Sequence, residues 1–138
     1  MTVQFASVDD LLADARSRLR RLDPLEATRE LDRGARLVDI RPSWQRAVSG
    51  EIPGALIVER NHLEWRLHPR SDARLPQAGD GQRWIVICSE GYTSSLAADA
   101  LNSLGVPATD VIGGFHAWTA AGLPSVRTVT AVEEVVAR

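Results

Sequence analysis

Cys88 is the only cysteine in the chain, and it stands directly after the apolar segment Trp84-Ile85-Val86-Ile87. Apolar runs of this length that are rich in β-branched residues are typical of a buried strand. A short loop containing Gly91 follows, and an alanine-rich segment with helical composition begins near Ser94. The pattern therefore predicts a strand, a tight loop and a helix, with a thiol at the point where the strand ends.

This placement favours a nucleophilic thiolate at Cys88. In such a loop the backbone N–H groups can turn inward, and the following helix adds the positive end of its dipole. Both effects stabilise an anion, and the thiolate is the nucleophilic form of cysteine. Gly91 fits a position that has a positive φ or no room for a Cβ atom. The alternative interpretation is a buried structural cysteine, because free cysteine is one of the most buried residue types.

Length and composition restrict the class of function. A chain of 138 residues is long enough for one domain with its own core. A single cysteine forms no internal disulfide, and the chain shows no long apolar run or signal-like N-terminus, so we expect a cytoplasmic protein without a membrane partner. The net charge of −2 argues against nucleic acid as a partner. All 16 basic residues are arginine, which excludes lysine Schiff-base chemistry and a P-loop lysine.

Helical and strand patterns alternate along the chain, which predicts an α/β domain with a mainly parallel sheet. The predicted helices cover residues 8–22, 23–31, 43–48, 94–104 and 115–121. The predicted strands cover residues 36–41, 56–58, 84–88 and 108–112. This organisation predicts an N-terminal helical extension at 1–22, one domain at 23–127, and a C-terminal tail at 128–138 that is a candidate helix.

Charged side chains follow the first two predicted strands, as the Cys88 loop follows the third. Asp39 and Arg41 stand at the end of the first strand, and Arg60 and Arg66 come after the second. Because ligands bind at the carboxyl ends of parallel strands, we expect these groups to meet at one crevice with Cys88. We predict that they bind an anionic substrate there. For Asp39 the alternative is a salt bridge that ties the strand end to a neighbouring loop.

Four motifs, taken in their order along the chain, resemble the rhodanese family of sulfurtransferases. They cover about residues 23–127 and are Leu37-Val38-Asp39-Ile40-Arg41, Gly50-Glu51-Ile52-Pro53-Gly54-Ala55, Cys88-x-x-Gly91-x-Thr93-Ser94, and Gly113-Gly114-x-x-x-Trp118 with Ala121-Gly122-Leu123-Pro124. The resemblance implies a rhodanese-like three-layer domain, in which helices flank a five-stranded, mainly parallel sheet. It also implies that Cys88 is the catalytic residue, which accepts a sulfane sulfur as a persulfide and passes it to a thiophilic acceptor.

The resemblance also implies the site and its substrates. The active-site loop would consist of Ser89, Glu90, Gly91, Tyr92, Thr93 and Ser94, with Arg41 helping to bind an anionic donor. Thiosulfate or a persulfide would be the donor, and cyanide, a thiol or a protein the acceptor, with a sulfur-relay protein as the candidate partner. We expect no cofactor, no metal and a monomer or homodimer. Because the loop side chains carry no positive charge, thiosulfate is expected to be the weaker donor.

Two competing interpretations remain open at this point. Dual-specificity phosphatases and arsenate reductases have a related fold, but their loop has arginine six positions after the cysteine, where this chain has Ser94. Without that guanidinium, a phosphoryl group has no bidentate clamp. The second interpretation is a catalytically silent rhodanese-like module with a binding or regulatory role. The retained Cys88 argues against it, because inactive modules commonly lose the thiol.

Overall fold

The computed structural model describes residues 3–131 of the chain. Within these residues, one parallel sheet has the strand order β2-β1-β3-β4, and the strands are β1 (Arg36–Asp39), β2 (Leu56–Ile57), β3 (Trp84–Ile87) and β4 (Ala108–Asp110). The helices are α1 (Val8–Arg16), α2 (Pro24–Asp32), α3 (Ser43–Ser49), α4 (Leu63–Leu67), α5 (Thr93–Ser103) and α6 (Gly114–Ala120), and a 3₁₀ turn at Arg60–His62 precedes α4. The predicted α/β class with a parallel sheet is confirmed.

Over residues 3–131 the sheet has four strands rather than the expected five. Next to β4, Leu22 makes a single parallel bridge: its N–H donates to the Asp110 carbonyl at 3.1 Å, and its carbonyl accepts from the Ile112 N–H at 2.8 Å. The bridge cannot lengthen into a strand because Asp23 is already the N-cap of α2. Pro24, the next residue, has no N–H to donate. The fifth position in the sheet is therefore occupied by one residue.

Side chains alternate along β3, so they enter two separate cores. Trp84, Val86 and Cys88 belong to the core that packs against α4 and α5, together with Val38, Ile40, Val58, Leu63, Leu67, Ala97, Ala98 and Leu101. Ile85 and Ile87 belong to the core on the other face, with Leu22, Ala27, Leu37, Ile52, Val111, Phe115 and Trp118 of α2, α6 and their connections. The alternation thus places the Cys88 side chain on the α5 side of the sheet.

The two ends of the chain differ from the predicted helices. Helix α1 ends at Arg16, well before position 22, and Leu22 bridges the sheet edge instead of continuing the helix. Residues 128–131 are not helical, and the rest of the predicted C-terminal helix lies outside the described residues. No helix within residues 3–131 is long and apolar enough to cross a membrane.

A buried ion pair fastens the last described residues to the turn after α3. The Glu51 carboxylate accepts from Arg46 Nη1 at 2.5 Å, and from the backbone N–H and the hydroxyl of Thr130 at 2.8 and 2.7 Å. Glu51 also forms an antiparallel bridge with Val126. Arg46 and Glu51 are both buried. Residues 126–130 are therefore held against the turn that follows α3.

Replacing Glu51 with glutamine is expected to destabilise the fold and to weaken its acid dependence. Burial alone raises the pKa of Glu51, but hydrogen bonds from Thr130 and the pair with Arg46 outweigh burial and lower this pKa below its ordinary value. The carboxylate thus contributes stability that is complete above the unfolded-state value of about 4.3 and is lost as the pH falls through the folded-state value. Leaving Arg46 buried without its partner costs about 3–5 kcal/mol.

Urea unfolding from about pH 7 down to about pH 3 measures both effects. Asp80→Asn is the control, because the Arg70–Asp80 pair is largely exposed and contributes little. An unchanged free energy of unfolding at neutral pH in Glu51→Gln would contradict the role assigned to this pair. So would an acid dependence as steep as in the wild type.

Candidate active site

Cys88 stands at the carboxyl end of β3, where its thiol forms the floor of a tight loop. The side chain is buried, and the Gly91 N–H donates to Cys88 Sγ at 3.2 Å. Gly91 has a φ of +89°, and a Cβ atom there would lie 2.9 Å from the Gly113 nitrogen. Glycine is therefore required at this position both by conformation and by space. The loop directs at least one backbone donor at the sulfur, as the sequence predicts.

The start of α6 holds two carbonyl groups of the loop. The Phe115 N–H donates to the Cys88 carbonyl at 2.8 Å, and the His116 N–H donates to the Ser89 carbonyl at 3.1 Å. These donors belong to the first turn of a helix, where backbone N–H groups lack partners within the helix. The two carbonyl oxygens are thus occupied outside the loop, where they do not oppose a negative charge on the sulfur.

Gly114 allows this close approach between α6 and the loop. Its φ is +60°, and a Cβ atom there would lie 2.5 Å from the Cys88 carbonyl oxygen and 2.8 Å from the Gly91 nitrogen. Backbone atoms cannot move away as a flexible side chain does. Any side chain at position 114 must therefore displace the loop.

The other predicted loop residues surround the thiol in different settings. Glu90, Tyr92 and Thr93 are exposed, so they line the outer side of the loop. Ser89 donates its hydroxyl to Gln45 Oε1 at 3.0 Å, which ties the loop to α3. Helix α5 begins at Thr93 without a side-chain cap, and the Ser95 N–H of its first turn donates to the Tyr92 carbonyl at 3.1 Å.

A buried carboxylate behind the loop was not identified from the sequence. Asp110 is fully buried, and it accepts hydrogen bonds from the hydroxyls of Ser94 (2.7 Å) and Ser95 (2.8 Å). Arg21 forms an ion pair with the same carboxylate, with Nε 2.8 Å from Oδ1. The available signal was a charged residue within a predicted strand, because a buried charge requires partners. Ser94 therefore faces Asp110 rather than a substrate.

Two arginines from the N-terminal part of the chain also reach the loop. Arg16 Nη2 donates to the Gly91 carbonyl at 2.7 Å, and Arg21 Nη2 donates to the same oxygen at 3.0 Å. Arg16 also donates through Nε to Ser95 Oγ at 3.0 Å. No local spacing pattern in the sequence links these residues to Cys88. The segment expected to be an extension is thus in contact with the candidate site.

The structure gives Arg41 and Asp39 a different setting from the expected substrate contact. The Arg41 guanidinium is fully buried; it donates to Asp39 (2.7 Å from Nη2) and to the Gly50 carbonyl (2.8 Å). It also lies 4.0 Å from the centre of the Phe115 ring. It therefore offers no surface to a dissolved donor. The pair has the structural role that the sequence left open for Asp39.

Arg60 and Arg66 are likewise bound to nearby groups. Arg60 makes two hydrogen bonds to the Glu64 carboxylate, at 2.8 and 3.0 Å, across one helical turn. Arg66 is buried and donates to the Ala73 carbonyl. Ala73 lies in a groove with Ser103 and Leu104, at the end of α5 farthest from Cys88. The structure therefore joins the loop residues 88–94 in one site, and it connects Arg66 to Ala73 of this groove.

Comparison with known proteins agrees with this architecture. The family model of the rhodanese-like domain matches residues 23–121, from the start of α2 to the end of α6. The chain belongs to the rhodanese-like domain family. Arg16 and Arg21, which contact the loop from behind, lie outside the matched residues of this rhodanese-like domain.

Relatives with sulfurtransferase names are found in sequence and in structure. Two maize proteins named adenylyltransferase and sulfurtransferase MOCS3-1 and MOCS3-2 are each 35% identical to the chain over 83 residues, or 59% of this chain and 17% of each relative. The chain thus spans less than a fifth of the length of these curated relatives. The thiosulfate sulfurtransferase of Pseudomonas aeruginosa is 30% identical, with a TM-score of 0.63 over 79% of this chain and 19% of that one.

A second similar structure extends over almost the whole chain. It is a Rhodopseudomonas palustris protein of unknown function that is called a possible tyrosine phosphatase. It is 27% identical, with a TM-score of 0.80, and the likeness covers 91% of this chain and 99% of that one. The shared fold therefore includes residues beyond the matched rhodanese-like domain.

Replacing Gly114 with alanine is expected to displace the Cys88 loop. The added Cβ overlaps backbone atoms, so we expect alkylation of Cys88 by iodoacetamide to change by more than about fivefold and stability to fall by about 1–3 kcal/mol. Gly105→Ala is the matched control, because Gly105 has a φ of +77° but nothing within 4 Å of an added Cβ. Gly105→Ala therefore has only the conformational cost of a side chain at positive φ, without a steric clash. Equal alkylation rates in the two variants would show that Gly114 does not determine the loop geometry.

Proposed function

We propose that this rhodanese-like domain is a sulfurtransferase that carries a sulfane sulfur as a persulfide on Cys88. The observation that carries the proposal is the hydrogen bond from the Gly91 N–H to Cys88 Sγ. In the same loop, the carbonyl groups of Cys88, Ser89 and Gly91 are bound by α6 and by two arginines. Backbone donors fixed in this way stabilise first a thiolate and then a charged persulfide. The sulfurtransferase names of the maize and Pseudomonas relatives support the same reaction class.

The proposed reaction consists of two displacements at sulfur. The Cys88 thiolate attacks the outer sulfur of the donor and forms a new S–S bond, while the donor's own bond to that sulfur breaks. The leaving group keeps the electron pair and departs as sulfite from thiosulfate, or as a thiolate from a persulfide. Cyanide or a thiolate then attacks the outer sulfur on Cys88 and regenerates the Cys88 thiolate. The transferred atom keeps its oxidation level, so the cycle requires no external oxidant or reductant.

Phosphatase chemistry is less well supported by the loop, although one similar structure carries that suggestion. Position 94 is the place where a phosphatase loop would present an arginine. Ser94 here is fully buried, and its hydroxyl donates to the Asp110 carboxylate. Arg16 and Arg21 are committed to the Gly91 carbonyl behind the loop, where a phosphoryl group bound in front of Cys88 does not meet them.

Cys88→Ser is expected to fold normally and to lose sulfur transfer completely, because serine provides no sulfur to form a persulfide. Intact-mass spectrometry after exposure to thiosulfate or to a small persulfide should detect one added sulfur atom on the wild type and none on the variant. Ser103→Ala, which removes an exposed hydroxyl at the far end of α5, is the control that keeps the thiol. Sulfur transfer by Cys88→Ser would refute the proposal. A wild type that gains no sulfur from any donor would favour the silent module instead.

Glu90→Gln is expected to improve the use of thiosulfate but not of a neutral-tailed persulfide. Thiosulfate is a dianion whose sulfonate would lie near the loop mouth, where Glu90 is exposed and is the loop's only carboxylate. Solvent screens this repulsion, so we expect kcat/KM for thiosulfate to rise about two- to fivefold. Asp32→Asn is the control, because it removes an exposed carboxylate at the end of α2. Asp32 precedes the amino end of β1, whereas Cys88 follows the carboxyl end of β3. A donor ratio that is the same in both variants would contradict this prediction.

A further inference from the structure

The carbonyl group of Gly91 is the part of the loop that most needs to be held in place. Glycine allows its flanking peptides to rotate more freely than any other residue does. The crowding around Gly91 requires glycine there, so the loop cannot use a side chain to limit this rotation. A rotated Gly91–Tyr92 peptide would point its carbonyl dipole at the sulfur and oppose a thiolate or a persulfide.

Two charged side chains bind this carbonyl. Arg16 Nη2 lies 2.7 Å from the Gly91 oxygen and Arg21 Nη2 lies 3.0 Å from it. Hydrogen bonds from a cation are about twice as strong as neutral ones. In a trans peptide the next N–H points opposite to the carbonyl, so the Tyr92 N–H is directed away from the two arginines.

Arg16 and Arg21 differ in the other groups that they bind. Arg21 also neutralises the buried Asp110, so its removal would leave a buried charge without its partner. Arg16 has no carboxylate partner among residues 3–131, and its other hydrogen bond goes to the Ser95 hydroxyl. Arg16 therefore adds an unneutralised positive charge beside the loop. Its side chain can be changed with little effect on the core.

We propose that Arg16 is a positioning residue for the Cys88 loop, because its guanidinium fixes the Gly91–Tyr92 peptide with the carbonyl directed away from the sulfur. The proposal deepens the sulfurtransferase function and rests on it for its catalytic consequence. According to this proposal, α1, which precedes the matched rhodanese-like domain, helps to position the active-site loop.

The test compares Arg16→Met, Arg16→Lys and Arg18→Met. Methionine keeps the apolar stem that packs on α5 but removes the donors. Lysine keeps one donor and the charge. Arg18 is the matched control, because it stands two positions away and binds the carboxylates of Asp14 and Asp99 instead of the loop. Each variant is measured in three ways: urea unfolding, the rate of Cys88 alkylation by neutral iodoacetamide near pH 7, and kcat and KM with a small persulfide donor.

We expect Arg16→Met to lower both the alkylation rate and kcat about tenfold, the effect of losing one charge-assisted hydrogen bond. KM should change less than kcat, since Arg16 does not touch the donor. Lysine should restore most of the lost rate, and Arg18→Met should behave as the wild type in alkylation and turnover. The proposal would be overturned if Cys88 were alkylated at the same rate in Arg16→Met and in Arg18→Met. A loss of alkylation that tracks unfolding and is not rescued by lysine would overturn it as well.

Alkylation does not depend on sulfur transfer, so the two proposals fail separately. A wild type that transfers no sulfur refutes the proposed function. The order of the alkylation rates still decides whether Arg16 positions the loop.

Discussion

The candidate site depends on where the carbonyl oxygens of one short loop are bound. Each peptide carries a donor and an acceptor, so a loop can offer N–H groups to an anion only if its carbonyls are satisfied elsewhere. Here α6 takes the carbonyls of Cys88 and Ser89, and two arginines take that of Gly91. The tight packing of Gly114 against the loop allows the first pair of bonds. The electrostatic environment of the thiol is therefore determined by elements far away in the sequence.

The fold and the position of Cys88 could be predicted because their signals are local. An apolar run, a glycine and an alanine-rich segment are enough to place a thiol between a strand and a helix. The partners of the arginine side chains could not be predicted in this way, because they depend on the folded structure. Arg41 was expected to face a substrate, yet the carboxylate two residues earlier lies within reach of its guanidinium at the buried strand end. Arg21 and Asp110 are 89 positions apart, and no spacing rule relates them.

The buried ion pair between Arg46 and Glu51 shows how a buried carboxylate is accommodated in the turn after α3. Glu51 belongs to one of the four motifs that resemble the rhodanese family. The structure has Glu51 paired with Arg46 and bound to Thr130 by two hydrogen bonds. A buried carboxylate without such partners would be strongly destabilising. The acidic residue at this turn therefore makes the fold depend on residues 126–130, which lie beyond the matched rhodanese-like domain.

The distribution of charged side chains around the loop affects which anion the loop can bind. The arginine charges lie behind the backbone, and one of them is neutralised by Asp110, while the exposed rim carries Glu90 and Tyr92. In the proposed function, an anion on Cys88 would be stabilised mainly by the backbone donor at the loop floor. Such dipoles act over a short distance and match a charge located on one or two sulfur atoms. A sulfonate that extends to the rim would find a carboxylate there rather than a cation. Under the proposed function, this arrangement favours a donor that brings no second charge to the rim.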